Sequence, residues 1–163
     1  MASNTILQDD NARPFENIDS FAVVVSTPPA FTGATANTRG DFAGTLNPDT
    51  MFTVTGDVLV RIYGVCTTLL ASAGAGTVSL GVTGNTAALI ALTTATDIDA
   101  NEIWNDTTPV VGVELLSNVL GPYAVVNGLD IIETVGTADI ETGNIYYVCL
   151  WRPLSRDGSV VSV

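Results

Sequence analysis

The sequence predicts an all-β, single-domain protein, a β-sandwich of jelly-roll-like type with an extended N-terminal arm. Three observations support this prediction. The chain has 163 residues, the length of one ordinary domain. Hydrophobic residues make up 47% of it and charged residues only 13%, which is enough apolar material for a core. Short runs rich in Val and Thr alternate with Gly, Pro, Asn and Asp along the chain, a pattern typical of many short strands joined by turns.

The first 19 residues differ from the rest of the chain. Residues 1–19 are polar and show no hydrophobic periodicity. They form either a frayed terminus or an arm that becomes ordered against a partner, with Ile6, Pro14 and Phe15 as its anchors. We therefore divide the chain into this arm and a β-sandwich domain, residues 20–163. The segment lacks the cationic and apolar pattern of a signal peptide, so we expect synthesis in the cytoplasm.

The first strand is predicted at residues 20–27. It ends at Pro28 and Pro29, neither of which can donate a hydrogen bond to a strand ladder. The connection that follows, residues 30–49, is rich in Gly, Thr, Asn and Asp and is unusually long for a compact domain. It is therefore predicted to be functional or partly structured, and one short edge strand is expected near Phe42.

The clearest strand signal lies in residues 50–68, where side chains alternate with a period of two. The predicted core face consists of Phe52, Val54, Gly56, Val58, Val60, Ile62 and Gly64. The pair Gly56-Asp57 is predicted to divide this run into two strands. A glycine-rich loop then leads to a short strand at residues 77–82.

The next segment, residues 86–98, is ambiguous. Its Ala and Leu residues allow a helix and its Thr residues favour a strand, and we favour the strand. An acidic turn region is predicted at 97–106 and a strand at 110–116.

Two more strands and a turn are predicted near the C-terminal end. Tyr123–Val126 and Leu129–Thr134 flank Asn127-Gly128, a pair typical of a type I′ hairpin turn. The last strand, residues 145–152, is apolar on both faces. We therefore expect it at the centre of its sheet, covered on both sides, with Trp151 in the core.

The charge of the chain limits its chemistry. Seventeen acidic residues face five Arg, with no Lys and no His, for a net charge of −12. Mechanisms that need a His base, a Cys–His pair or a P-loop Lys are excluded, and we expect neither an enzyme nor a cofactor. Five scattered Arg cannot form a phosphate-binding face, so neither nucleic acid nor an anionic membrane is an expected partner. Arg152 and Arg156 are predicted to donate structural or intersubunit ion pairs.

One stretch resembles the start of a calcium loop. Asp97, Asp99 and Asn101 alternate and are followed by Glu102, but the glycine and the final glutamate of that pattern are absent. A capped turn is favoured over calcium binding, and no metal is predicted. The two cysteines, Cys66 and Cys149, are predicted to be reduced, buried thiols, and a bridge is possible if their strands are neighbours.

Trp104 lies in the acidic turn region and is predicted to be the freer of the two tryptophans. Packing at an interface is the favoured role, because aromatic residues are enriched there. The alternative is an exposed stacking platform for a glycan.

The last half of the chain resembles a known family. The stretches GVTGNTAALIALTTATDIDANEIW and DIIETVGTADIETGNIYYVCLWRPLS resemble small structural proteins of tailed bacteriophages that are thought to decorate or cement capsids. The resemblance implies a non-catalytic, β-rich decoration (cement) protein on the outer capsid surface of the virion. It would bridge neighbouring capsomers and contact the major capsid protein. A homotrimer is expected, because capsomers meet at three-fold points.

Two alternatives remain open from the sequence. One is a tail-associated or carbohydrate-binding β-sandwich module, which requires an exposed aromatic platform. The other is a hydrolase that uses two carboxylates, although no pair of acids stands out in the sequence.

Overall fold

A computed structural model describes residues 21–113 and 121–163 as two antiparallel sheets. The all-β sandwich predicted from the sequence is confirmed. The predicted arm anchors Ile6, Pro14 and Phe15 lie outside the described residues.

Alternating apolar residues and turn residues produce eleven strands within the described ranges. The strands are β1 (Ala22–Ser26), β2 (Asp49–Thr55), β3 (Val58–Ala71), β4 (Thr77–Val82), β5 (Asn85–Thr94), β6 (Glu102–Trp104), β7 (Val110–Val111), β8 (Tyr123–Val125), β9 (Ile131–Gly136), β10 (Thr142–Pro153) and β11 (Ser159–Ser162). A 3-10 helical turn, Ala95–Asp97, separates β5 from β6.

The strands form a six-stranded and a five-stranded sheet. The first has the order β1-β10-β3-β6-β7, with β8 also paired to β3. The second has the order β11-β2-β9-β4-β5. Strand β10 lies between β1 and β3, as the sequence predicted, with Cys149 opposite Val24 and Ile62. Its inner face is buried, but its outer face is only half-buried, so the prediction of cover on both sides holds for one side.

The core lies between the sheets and uses the predicted face of β2 and β3. Phe52, Val54, Val58, Val60, Ile62 and Gly64 are all buried. Met51 is buried as well, although it falls on the other parity. The register of β2 against β9 shifts between Thr50 and Phe52, which turns two successive side chains inward.

The Asn127-Gly128 turn has the predicted backbone but does not form a hairpin. Both residues have positive φ angles, 58° and 64°, as a type I′ turn requires. However, β8 pairs with β3 in one sheet, whereas β9 pairs with β2 and β4 in the other. The turn is held at the β2–β3 corner instead, because Gly128 N donates to Gly56 O at 2.9 Å. The hairpin prediction is therefore wrong, and the turn carries the chain between sheets.

Other predicted segments have mixed outcomes. Residues 86–98 form mainly strand β5 followed by the helical turn, so the strand assignment is confirmed. The expected edge strand near Phe42 is wrong, because residues 32–46 form successive turns there. The acidic region 97–106 includes a short strand, β6, that the sequence did not predict. The predicted strand at 110–116 is observed at Val110–Val111. Residues 114–116 of the predicted strand lie outside the described residues.

Candidate interaction surface

The connection between β1 and β2 is held in place along its length, although it contains no strand or helix. We call residues 30–48 the anchored loop. Its first part is hydrogen-bonded to the start of β10 and to the segment just before it. Phe31 N donates to Gly143 O at 2.9 Å and Gly33 N to Ile140 O at 3.0 Å. The loop is therefore part of the folded body, which is the partly structured state the sequence predicted.

A buried ion pair fastens the middle of the anchored loop to the sandwich. Arg39 is only 3% exposed, and it holds Glu133 of β9 with two hydrogen bonds, Nη2–Oε2 at 2.6 Å and Nε–Oε1 at 3.0 Å. Tyr147 of β10 donates its hydroxyl to the same Glu133 carboxylate. Because β9 and β10 belong to different sheets, this cluster connects the loop to both layers.

The remaining Arg39 donors are also satisfied. Nη1 donates to Pro29 O at 2.8 Å and to the Asn144 side chain at 3.2 Å, and Nη2 also donates to Ile145 O at 3.2 Å. The guanidinium lies 3.9 Å from the centre of the Phe31 ring. With all five N–H groups bonded, this charge is stabilised inside the protein, where an unpaired one would be costly.

The environment fixes the protonation of these groups. Burial lowers the pKa of Arg39, but the charge and hydrogen bonds of Glu133, together with Tyr147, outweigh burial, so the net pKa is raised. Burial raises the pKa of Tyr147 well above its usual range, and the Glu133 carboxylate adds to the rise. Burial and the nearby Glu133 charge also raise the pKa of Asp49. The cluster therefore holds a permanent cation beside a neutral phenol.

Asn47 fixes the far end of the anchored loop. Its side-chain amide accepts a hydrogen bond from Val135 N at 2.9 Å and donates to Val135 O at 2.8 Å. The β2–β9 ladder begins at Asp49 opposite Glu133, so the Asn47 amide continues that ladder by imitating a backbone peptide. The same amide donates to Phe42 O at 2.8 Å.

The tip of the anchored loop exposes two large apolar side chains. Phe42 is 46% exposed and Leu46 is 48% exposed. The backbone beneath them is fixed, because Phe42 N donates to Asp139 Oδ1 at 2.8 Å and Ala43 N to Asp41 Oδ1 at 3.0 Å. We call Phe42 and Leu46 the apolar tip. Loops held by a rigid scaffold are where binding residues concentrate, and an exposed apolar group on such a loop favours contact with a partner.

The predicted contact residue Trp104 is not at the surface. Its side chain is 0% exposed, its indole donates to Thr93 Oγ1 at 2.9 Å, and its ring packs against Tyr147. Strand β6 pairs with β3 and places Trp104 opposite Gly64, where an added Cβ would lie 3.2 Å from the Trp104 ring. The expectation that Trp104 is the freer tryptophan is wrong, since Trp151 is the half-buried one.

Arg152 lies near Phe21, at the start of the described residues. Phe21 is the first described residue, and its ring centre is 5.5 Å from the Arg152 guanidinium and 5.2 Å from that of Arg61. Arg156 lies exposed in the connection between β10 and β11. Trp104 faces the core and Arg152 the outer surface of the same sheet, so these two predicted contact residues do not belong to one site.

The candidate metal loop forms a capped turn. Glu102 Oε2 accepts a hydrogen bond from Asp99 N at 2.7 Å, which is the favoured alternative. Across residues 21–113 and 121–163, no three His, Cys, Asp or Glu side chains are grouped to hold a metal ion. No helix in the same ranges is long and apolar enough to cross a membrane.

The two thiols are free and buried, as predicted. Their strands β3 and β10 are neighbours, but Cys66 lies opposite Ile145 and Cys149 opposite Ile62, so the thiols do not face each other. Burial raises the pKa of Cys66 to about 11 and that of Cys149 to about 12. Both are therefore protonated and unreactive near neutral pH.

A polar groove lies at the β2–β3 corner and is lined by Val54, Thr55, Gly56, Asp57, Asn127, Gly128, Ser155 and Asp157. Its polar groups bond one another, because Asp57 N donates to Ser155 Oγ at 2.8 Å and Ser155 Oγ donates to Asp157 Oδ1 at 2.7 Å. Ser155 is therefore part of a structural turn rather than a free nucleophile.

Comparisons of the chain with protein-family models, with curated proteins and with solved structures found no match. What the molecule can do is therefore argued from its own surface. The anchored loop was expected from its length alone. The Arg39–Glu133–Tyr147 cluster was not predicted from the sequence. Glu133 was an available signal, because it lies within the apolar run of β9 and a buried acid needs a cation.

Proposed function

We propose that this chain is a virion structural protein that decorates and cements the outer capsid surface of a tailed phage. The observation that carries the proposal is the apolar tip, held on a loop that a buried ion pair fixes to both sheets. The resemblance of the last half of the chain to phage decoration proteins supports the same function. In this proposal the chain acts by binding and catalyses no reaction.

The construction of the anchored loop favours affinity. A loop that is already ordered loses little conformational entropy when it binds. Fully burying a phenylalanine or leucine side chain is worth about 1.5–3 kcal/mol each. Phe42 and Leu46 therefore supply a modest binding free energy per copy. The total over the shell grows with the number of copies bound. The proposed partner is an apolar depression on the major capsid protein where neighbouring capsomers meet.

A double substitution at the apolar tip tests the proposal. We expect Phe42→Ser/Leu46→Ser to weaken binding to capsids purified without this protein by at least about tenfold, equivalent to about 1.4 kcal/mol. The matched control is Val161→Ser/Val163→Ser, which removes two apolar side chains that are 58% and 74% exposed elsewhere. Binding is measured by co-sedimentation, and thermal unfolding checks that both variants fold. Equal affinity of both variants and the unchanged chain would overturn the role of the tip.

The arm is the second proposed contact. It joins the body at Phe21, beside Arg61 and Arg152, and would dock on the capsid or cross to a neighbouring copy. Deleting residues 1–19 is expected to abolish capsid binding and leave the thermal unfolding of the body unchanged. Undiminished binding by the truncated chain would end this part of the proposal.

The homotrimer remains part of the proposal. Light scattering after size-exclusion chromatography should give three times the chain mass of 16.9 kDa. The carbohydrate-binding alternative relied on an exposed Trp104 platform. Trp104 is buried, so no observation on this surface favours it.

A further inference from the structure

Strand β5 is an edge strand of the five-stranded sheet. Its ten residues, Asn85–Thr94, pair only with β4 within the described part of the chain. An edge strand presents unpaired backbone N–H and C=O groups along one side, and these groups are satisfied by another extended strand. The edge strands β1 and β7 of the six-stranded sheet differ from β5. Strand β1 lies against β11, and β7 has only two residues.

Strand β5 lacks two of the usual features that prevent pairing. Protected edges carry Lys, Pro, inward charges or bulges, and Asn85–Thr94 contains no charged residue and no proline. Its register against β4 does shift on both sides of the Leu80–Ile90 pair. Its outer side chains include Leu92, which is 56% exposed. Among the described residues, its last part is covered, where Thr93 Oγ1 bonds both Asp106 O and the Trp104 indole.

The charge distribution indicates what kind of partner fits. The chain carries −12 overall, so two copies repel each other over most of their surface. Residues 62–96, however, contain no Asp, Glu, Lys or Arg. A second copy can approach the strand itself without meeting a carboxylate, and the acidic residues Asp97 and Asp106 lie at its C-terminal end. Two identical strands also match in length when they run antiparallel about a two-fold axis.

We propose that β5 is a self-pairing edge, at which the β5 strands of two copies form an antiparallel ladder about a two-fold axis. The five-stranded sheets of both copies then become one continuous sheet. This contact is separate from the apolar tip and from the three-fold contact of the proposed trimer. On a shell it would link neighbouring decorating units to one another.

A charge at the edge tests the pairing. Ala91 is exposed on β5, and Ala91→Lys places like charges on two facing strands. The control is Thr53→Lys, an equal charge change at an exposed position of β2, which already has partners on both sides. Mass is measured by light scattering over a concentration series of the full chain. We expect Ala91→Lys to raise the dissociation constant of self-association at least tenfold and Thr53→Lys to leave it within threefold. A wild-type chain that stays monomeric, or an equal effect of both variants, would overturn the pairing.

Cysteine cross-linking tests the geometry independently. The native thiols are buried and have raised pKa values, so they give no background. Single cysteines are placed at the exposed β5 positions Thr86, Ala87, Ala91 and Leu92, with Val161→Cys on β11 as control. Mild oxidation by diamide should give covalent dimers for at least one β5 position and not for the control. Cross-linking no faster on β5 than at the control would contradict the proposal. Capsid binding by the apolar tip is measured separately, so either proposal can fail alone.

Discussion

Arg39 shows how one side chain can fix a long connection. It donates to Glu133, Pro29, Asn144 and Ile145 from inside the protein, and no donor is left unpaired. Removing it leaves the Glu133 carboxylate buried with only the Tyr147 hydroxyl. We expect Arg39→Met to lower the free energy of unfolding by about 3–5 kcal/mol, measured by urea denaturation.

The matched control for Arg39 is Arg156→Met. Arg156 is exposed, and surface substitutions usually change stability by less than about 0.5 kcal/mol. The double variant Arg39→Met/Glu133→Leu should recover part of the loss, because it removes the stranded carboxylate as well. Equal losses for Arg39→Met and Arg156→Met would show that the ion pair does not anchor the loop.

Alkaline pH should destabilise the fold. Burial raises the pKa of Cys66 to about 11, that of Cys149 to about 12, and that of Tyr147 well above its usual range. The unfolded chain releases these protons earlier, from about pH 8.5 for cysteine and about pH 10 for tyrosine. The stability they contribute is therefore complete below those values and is lost as pH rises through the folded-state pKa values.

The measurement is the free energy of unfolding in reducing buffer between about pH 7.5 and about pH 10.5. One group contributes at most about 1.4 kcal/mol per pH unit. In Cys149→Ala the decline should be shallower than in the unchanged chain. A free energy of unfolding that stays constant over this range would contradict the burial of these groups.

The two tryptophans can be told apart by fluorescence. Trp104 is 0% exposed and hydrogen-bonded, whereas Trp151 is half-buried. In Trp104→Phe, the emission of the remaining Trp151 should lie at longer wavelength than the emission of Trp104 in Trp151→Phe. The reverse order would restore the sequence-based placement. That placement failed because the acidic neighbours of Trp104 resemble a loop, whereas its burial depends on β6 pairing with β3, which sets Trp104 opposite Gly64.

At the scale of elements, the local sequence pattern predicted the positions of strands well and their pairing partners poorly. The alternation in residues 50–68 gave the correct core face, and Gly56-Asp57 separates β2 from β3 as expected. The residues Asn127-Gly128 dictate a positive-φ turn, but they do not determine whether the next strand pairs with the last. That choice depends on contacts between distant segments, such as Asn127 N with Asp57 Oδ1 at 2.9 Å.

Two glycines of similar backbone test the β2–β3 corner. Gly56 has φ +61°, and an added Cβ would lie 2.4 Å from Ser155 Oγ and 2.5 Å from Asp157 Oδ1. Gly84 has φ +87° but open space around it. Both alanine variants carry left-handed strain of about 1–2 kcal/mol, and Gly56→Ala adds a steric clash. Thermal unfolding should therefore show a larger loss for Gly56→Ala, and equal losses would contradict the packing of this corner.

At the scale of the whole molecule, the sequence predicted a sandwich, two buried thiols and a long connection that is functional or partly structured. The ion pair that orders the connection joins residues far apart in the chain, 39 with 133 and 147, so periodicity could not reveal it. The apolar tip was missed for a related reason. Phe42 is a lone aromatic residue in a polar segment and was assigned to an edge strand. Such a residue indicates exposure only after the turns around it are known.

The molecule combines a rigid body, an exposed apolar tip and an uncharged edge within a strongly acidic chain. In the proposed function the tip contacts the shell, the β5 edge contacts another copy, and the remaining acidic surface keeps the particles soluble. The proposed contacts use separate surfaces. Substitutions can therefore remove one contact without unfolding the surfaces that make the others.

The central claim is that the chain is a repeated component of a capsid surface. The most direct measurement is quantitative mass spectrometry of purified virions from the source, counting copies of this chain against the major capsid protein. The proposal predicts hundreds of copies per particle, in a fixed ratio to the capsid subunits. A handful of copies would place the chain in the tail and contradict decoration of the head, and none would contradict a virion role altogether.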